Sequence, residues 1–191
     1  MKPVNIEAFI AAYADIYAPN NGLTDSQHTG LTAVLQALMD DSKMADIRWC
    51  AYVMATIKHE CAGTWQPIAE YGKGAGHPYG EPDPTTGQTY YGRGYCQITW
   101  KDNYRQMGKV LGVDLVNNPD RAMEPAIAWG ILSYGMRNGS FTGVGLPRYI
   151  SDGGCDYTNA RKIINSLDQA SKIAAYAVTI EGLLNNALQT A

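Results

Sequence analysis

The chain has 191 residues, 46% of them hydrophobic, and a formal net charge of −3. That length suits one domain, or one domain with two lobes, whose core needs neither metal nor disulfide framework. The small acidic balance, without any Lys/Arg block, excludes nucleic acid as the main partner and gives no pull toward an anionic membrane or wall.

The N-terminal stretch MKPVNIEAFIAAYADIY is interrupted by Pro3, Glu7 and Asp15, so it lacks the apolar core of a secretory signal. Ile6, Phe9, Ile10, Tyr13, Ile16 and Tyr17 recur instead at helix spacing, and the run stops before Pro19-Asn20-Asn21-Gly22. Thr24 followed by Gln27 predicts a capping box, opening a second helix that carries Leu31, Val34, Leu35 and Leu38. A third helix is expected from Met44 to Cys61, burying Ile47, Ala51, Met54 and Ile57, with Glu60 in its last turn.

From Gly72 to Tyr95 the helical pattern gives way to glycines, prolines and tyrosines. A loop of this length inside a compact domain is usually functional, and it is expected to be more mobile than the helices. Short strands are expected around Gln88–Tyr91 and Tyr95–Ile98. Helices then resume over Lys101–Leu111, capped by Gly112, and from Pro125 through Ile127, Ile131, Leu132 and Met136. A turn at Pro147–Ile150 leads to a helix over Tyr157–Ile164 and a long final one over Asp168–Leu188. No segment approaches the length of a membrane span, so no membrane insertion is expected.

Cys50, Cys61, Cys96 and Cys155 are scattered, without a CxxC or other ligand spacing, so no metal site is expected. Nothing points to an organic cofactor either. A Cys61–Cys96 bridge is conceivable, although spacing alone does not establish one.

Acidic residues placed after a buried helix and before a Gly- and Tyr-rich segment fit glycoside hydrolysis. That chemistry needs one carboxyl to protonate the departing oxygen and a second to attack or to activate water. Glu60, beside Ile57 and Trp65 at a helix C-terminus, has the apolar setting expected of the acid. Glu70, at the loop entrance, suits an exposed general base, with Glu81 and Asp83 as weaker competitors. His59 has no Ser or Cys nucleophile motif beside it and suits a role orienting Glu60.

Two segments carry a more specific signal. HECAGTWQPIAEYG (residues 59–72) resembles the HETGGT-type segment of the family-19 chitinase-like hydrolases. YYGRGYCQITWKDNY (90–104) is similar to their YYGRGxxQLSxxxNY signature, and the likeness continues through LGVDLVNNPDRA into DYTNARKIIN. The variants containing TWQPIAEYG and DYTNARKIINSLDQA look like phage and prophage endolysins.

The resemblance implies a mainly α, lysozyme-like α+β fold: a helical bundle with a small β-rich loop lobe flanking an active-site cleft. It implies one catalytic domain over residues 1–191, acting as a monomer, with no separate wall-binding module. Glu60 matches the general acid, Glu70 the second carboxylate of the endolysin branch, and Thr99 the hydroxyl that holds the attacking water. Tyr91, Asn103 and Asn165 match residues lining the sugar cleft, with Gln97 beside Thr99; Arg93 matches a brace for the loop backbone or a carboxylate. Cys61 and Cys96 depart from the pattern, as does the absence of the longer plant loop that carries the second Glu.

The activity implied is that of a muramidase-type endolysin cleaving β-1,4 bonds of peptidoglycan glycan strands. It would be made in the host cytoplasm and released to the periplasmic wall through a holin. A chitinase acting on β-1,4-linked N-acetylglucosamine and an inactive glycan-binding module are the alternatives.

Overall fold

The computed structural model describes residues 2–189. They fall into two compact units, one comprising residues up to Trp65 together with those from Gly135 onward, the other Gln66–Tyr134.

In the first unit, α1 (Ile6–Tyr17) begins where the Asn5 side chain accepts from the Ala8 amide. The Thr24–Gln27 capping box starts α2 (Asp25–Asp40). Residues Cys50 to Ile57 of α3 (Ile47–Glu60) are all buried, the signature of a helix packed on every side. Its largest partner is the final helix, here called α6 (Ala170–Ala187), which also packs on α1. The two ends of the unit are tied where the Asn5 amide donates to the Ala187 carbonyl and the Gln189 amide to that of Pro3. Fully enclosed Phe9, Leu31, Leu35, Leu38, Met54 and Ile57 each contribute roughly 1.5–3 kcal/mol by burial.

The second unit is held by turns more than by long elements. Strand β1 (Ile68–Ala69) pairs antiparallel with β2 (Arg93–Gly94), in the register Ile68 to Gly94 and Ala69 to Arg93. Helix α4 (Lys101–Leu111) ends at Gly112 in the left-handed conformation, and α5 (Pro125–Asn138) follows a 3-10 turn at Pro119–Met123.

Several expectations are corrected. Helix α3 starts at Ile47 rather than Met44, because the Asp46 carboxylate accepts from the Arg48 amide and caps it there. Gln88–Tyr91 and Tyr95–Ile98 are not strands: Gly94 and Gln97 take positive φ, and the extended pairing falls on Arg93–Gly94 between them. Tyr157–Ile164 forms only a 3-10 turn at Asn159–Ile163, in which the Asp156 carboxylate accepts from the Asn159 amide and Arg161 turns inward. The last helix begins at Ala170, not Asp168, since Gln169 is left-handed. An unforeseen hairpin joins β3 (Ile150–Ser151) to β4 (Gly154–Cys155). The loop after Gly72 has structure of its own: a 3-10 turn at Pro78–Gly80, and an Asp83 carboxylate accepting from the Thr85 and Thr86 amides.

None of the four cysteines is in a disulfide, so no Cys61–Cys96 bridge forms; three are buried and Cys155 is exposed. The helical core therefore carries the stability by itself. Melting temperatures with and without a strong thiol reductant should agree within about 1 °C, a shift that corresponds to well under 1 kcal/mol. A fall of several degrees on reduction would show that a covalent link contributes.

Candidate active site

The chemistry-bearing residues of the first unit gather at the C-terminal end of α3. Glu60 is 17% exposed, and its Oε1 accepts from Arg161 Nη1 at 2.5 Å. Arg161 is 3% exposed and donates from Nε to the Asp168 carbonyl at 3.0 Å. The surroundings of Glu60 are thus ionic rather than the apolar pocket expected. Arg161 was missed: it stands beside a second cation, Lys162, in ARKII, and nothing in the sequence tells which of the two is buried. His59 is half-buried, and burial pulls its pKa down against the opposing field of Glu60. Asn165 is exposed in the turn beyond Arg161, where its Oδ1 accepts from the Ser166 amide.

Preceding Glu60 on the helix, Lys58 reaches into a cage of tyrosines. Its Nζ donates to the Tyr13 hydroxyl at 2.6 Å and lies 5.0, 3.8 and 5.1 Å from the ring centres of Tyr13, Tyr17 and Tyr176. Burial, and then the nearby Lys172 charge, bring its pKa down to about 8.

In the second unit Glu70 directly follows β1 and is half-buried, not exposed as expected. Its Oε2 accepts from the Gly92 amide at 3.1 Å and its Oε1 from the Tyr79 hydroxyl at 3.4 Å. Gly92 is needed at that contact, because a Cβ there would stand 3.0 Å from Gln97 Oε1 and 3.4 Å from Glu70 Cβ. Gln97 donates both amide hydrogens to main-chain carbonyls, of Ile68 and Gly94, each at 3.0 Å. It acts as a staple across the β1–β2 pair, and its carbonyl accepts from Thr99 Oγ1 at 2.9 Å. Asn103 Nδ2 in turn donates to the Thr99 carbonyl at 2.7 Å. Gln97, Thr99 and Asn103 are therefore joined by hydrogen bonds, while Glu70 and Gln97 both approach Gly92.

Tyr91 is 9% exposed, and the Arg93 guanidinium lies 3.6 Å from its ring centre. Arg93, itself 3% exposed, donates to the Thr89 and Tyr91 carbonyls and to Asp120 Oδ1, the last at 2.8 Å. Of the weaker candidates for the base, Asp83 is engaged by Lys101 Nζ at 2.7 Å, which holds its carboxyl down at about 2. Glu81 is exposed beside the same turn. Half-exposed Trp100 meets the Tyr79 ring edge-on at 5.2 Å between centres. Among the described residues, no group of His, Cys, Asp and Glu is arranged to hold a metal ion.

Comparison with known proteins finds likeness to one group of glycoside hydrolases. Residues 40–134 match the profile of the family described as chitinase class I, glycoside hydrolase family 19. Pea endochitinase A2 is 39% identical over 102 residues, which is 43% of this chain and 30% of that protein. Grapevine basic endochitinase is 36% identical over 94 residues, 42% of this chain and 30% of its own length. The chain thus matches under a third of the length of these curated relatives. A bacterial family 19 chitinase superposes with a TM-score of 0.63 and 25% identity, covering 95% of this chain and 94% of that one. Chitinase C of Streptomyces griseus, at 21% identity and TM-score 0.64, shares the fold over 98% of this chain and 79% of its own. The lysozyme-like, mainly helical α+β fold is that of these enzymes, and residues 40–134 carry the likeness to the family-19 glycoside hydrolases.

The caged Lys58 has a consequence for stability. Its folded pKa of about 8 lies below the roughly 10.4 of a free lysine, so over that interval the unfolded chain binds more protons. Stability from this group therefore rises as pH climbs from about 8 toward 10. Denaturant unfolding at the two ends of that window should show a gain in the parent chain relative to Lys58→Met. Parallel profiles for the two proteins would refute the shifted lysine.

Proposed function

We propose that this protein is a glycosidase hydrolysing β-1,4 bonds in a polymer that contains N-acetylglucosamine, with Glu60 as general acid and Glu70 as general base. The observation that carries the reading is the state of the two carboxylates. Each is half-buried and fixed by a donor from a distant part of the chain, Arg161 for Glu60 and the Gly92 amide for Glu70. Surface carboxylates are rarely held in this way. Arg161 occupies Oε1 of Glu60, which leaves Oε2 as the atom to deliver a proton to the leaving oxygen. Thr99, bonded to the Gln97 carbonyl, supplies a hydroxyl to position water. Tyr91 and Asn103 support the same segment, and Asn165 is offered to sugar from its exposed turn.

Chitin is the polymer that the named relatives favour, because they are chitinases of plants and bacteria. Peptidoglycan is the second reading. It has the same linkage geometry and the acetamido sugar, and the end of α3 carries cations that a neutral polymer does not call for. In that reading the protein is an endolysin, made inside a host cell and acting on the wall after release by a holin. Colloidal chitin and purified peptidoglycan sacculi, assayed for new reducing ends, separate the two.

Glu60→Gln should lower turnover by about a thousandfold on whichever polymer is cut, since the amide keeps the shape but delivers no proton. Glu70→Gln should lose on the order of a hundredfold or more, and Thr99→Ala less, because it only positions water. An inverting pair gives the inverted anomer first, read by NMR early in digestion. A retained anomer, or full activity in Glu70→Gln, would remove Glu70 from the role of base.

A further inference from the structure

The last turn of α3 and the first turns of α6 enclose a pocket of roughly 260 Å³, lined by Lys58, His59, Ala62, Gly63, Lys172 and Tyr176. Its three basic side chains converge although nothing in the fold compels like charges to meet. The Lys172 ammonium acts unfavourably on Lys58 and on His59. Among the described residues neither lysine belongs to an ion pair. Glu60, the adjacent carboxylate on the helix, is already engaged by Arg161. Asp168, which also acts on His59, is exposed.

Lys58 is oriented for this place. The Tyr13 hydroxyl accepts one of its hydrogens, and the rings of Tyr17 and Tyr176 hold the ammonium by cation–π contact. An ammonium has three donors and the tyrosine rings take none of them as a carboxylate would. Lys172 is near the same Tyr176 ring, its Nζ 6.0 Å from the ring centre. The main-chain donors at the rim are spent, the Ala62 amide on the His59 carbonyl and the Gly63 amide on that of Lys58. Any charge recognition in the pocket therefore comes from side chains.

We propose that this pocket binds a carboxylate carried by the substrate glycan, of the kind borne by the peptide substituents of peptidoglycan and missing from chitin. An anion between Lys58 and Lys172 relieves their mutual repulsion, and the half-buried setting makes the attraction stronger than at an open surface. His59 lines the pocket and feels the charges of both Lys172 and Glu60, so a carboxylate held here lies close to Glu60 and fits a substrate engaged at that carboxylate. The inference rests on the glycosidase reading of Glu60 and selects between its two polymers.

The test measures binding by calorimetry to the full chain with three probes. These are a disaccharide–tripeptide fragment of peptidoglycan, the same fragment with its carboxylates converted to amides, and chitotetraose. The charged fragment should bind the parent chain more tightly than its amidated form. Lys172→Glu, at an exposed position that leaves the fold intact, should weaken the charged fragment about tenfold and change the other two by less than about twofold. An equal effect on all three probes, or no effect on the charged one, overturns the pocket. If chitotetraose binds and the charged fragment gains nothing over its amide, the pocket falls and the glycosidase reading stands. If no probe binds at all, both fall.

Discussion

A guanidinium removed from water must find partners for its donors, and Arg161 finds them at the end of α3. It donates to Glu60 Oε1 and to the Asp168 carbonyl while only 3% exposed. Removing one member of such a pair typically costs about 3–5 kcal/mol, because the other is left charged in a poor solvent. The 3-10 turn at Asn159–Ile163, the segment leading into α6 and the last turn of α3 are therefore held to one another by one side chain. Lys58, His59 and Glu60 follow one another on a helix, where each step turns by about 100°, so they enter three different surroundings. One is a tyrosine cage, one a half-buried imidazole site and one a salt bridge.

The second unit uses the same device on a different scaffold. Arg93 is as buried as Arg161, and it draws the Thr89 and Tyr91 carbonyls, the Tyr104 hydroxyl and Asp120 around itself. That arrangement bends the chain so sharply that Gln97 and Trp100 take φ values of 54° and 75°. Left-handed backbone costs an L-residue roughly 1–2 kcal/mol, and the two amide hydrogen bonds of Gln97 offset it there. Trp100 has no such compensation in its side chain and stays half-exposed next to Tyr79. Strain retained at an exposed aromatic ring is common where a flat ligand is to be met.

Local rules were legible where local forces decide. The Thr24–Gln27 box and the Gly112 cap are short-range hydrogen-bond and steric effects, and both stand where the residues place them. The helix–strand boundaries around Arg93 and Arg161 were not legible, since each depends on a buried cation whose partner lies elsewhere in the chain. Glu60 and Arg161 are 101 residues apart, a pairing that periodicity does not encode. The same holds for Glu70, whose half-buried state follows from Gly92 and Tyr79 rather than from its neighbours in sequence. The β3–β4 hairpin is a different case. Its Ser-Asp-Gly-Gly turn was available to be read, and was masked by the helical pattern on either side.

The likeness to chitinases covers residues 40–134, which include the carboxylates and hydroxyl of the proposed mechanism, and that is a different matter from the polymer they would meet. Two carboxylates and a hydroxyl in those proposed roles would suit any β-1,4-linked acetamido sugar, so they carry little information about what else hangs from the chain. Selecting between a neutral and a charged polymer requires a difference in affinity made away from the reacting atoms. Charge is the largest chemical contrast between the two, and it is read best by cations that have no partner of their own. Lys58, held only by tyrosines, and Lys172 have no carboxylate partner among the described residues, whereas Arg93, Arg161 and Lys101 are each committed to a carboxylate of the fold. The donors that hold the two carboxylates, Arg161 for Glu60 and the Gly92 amide with the Tyr79 hydroxyl for Glu70, are thus separate from the cations left available to a ligand, which lets substrate choice change without disturbing the carboxylates.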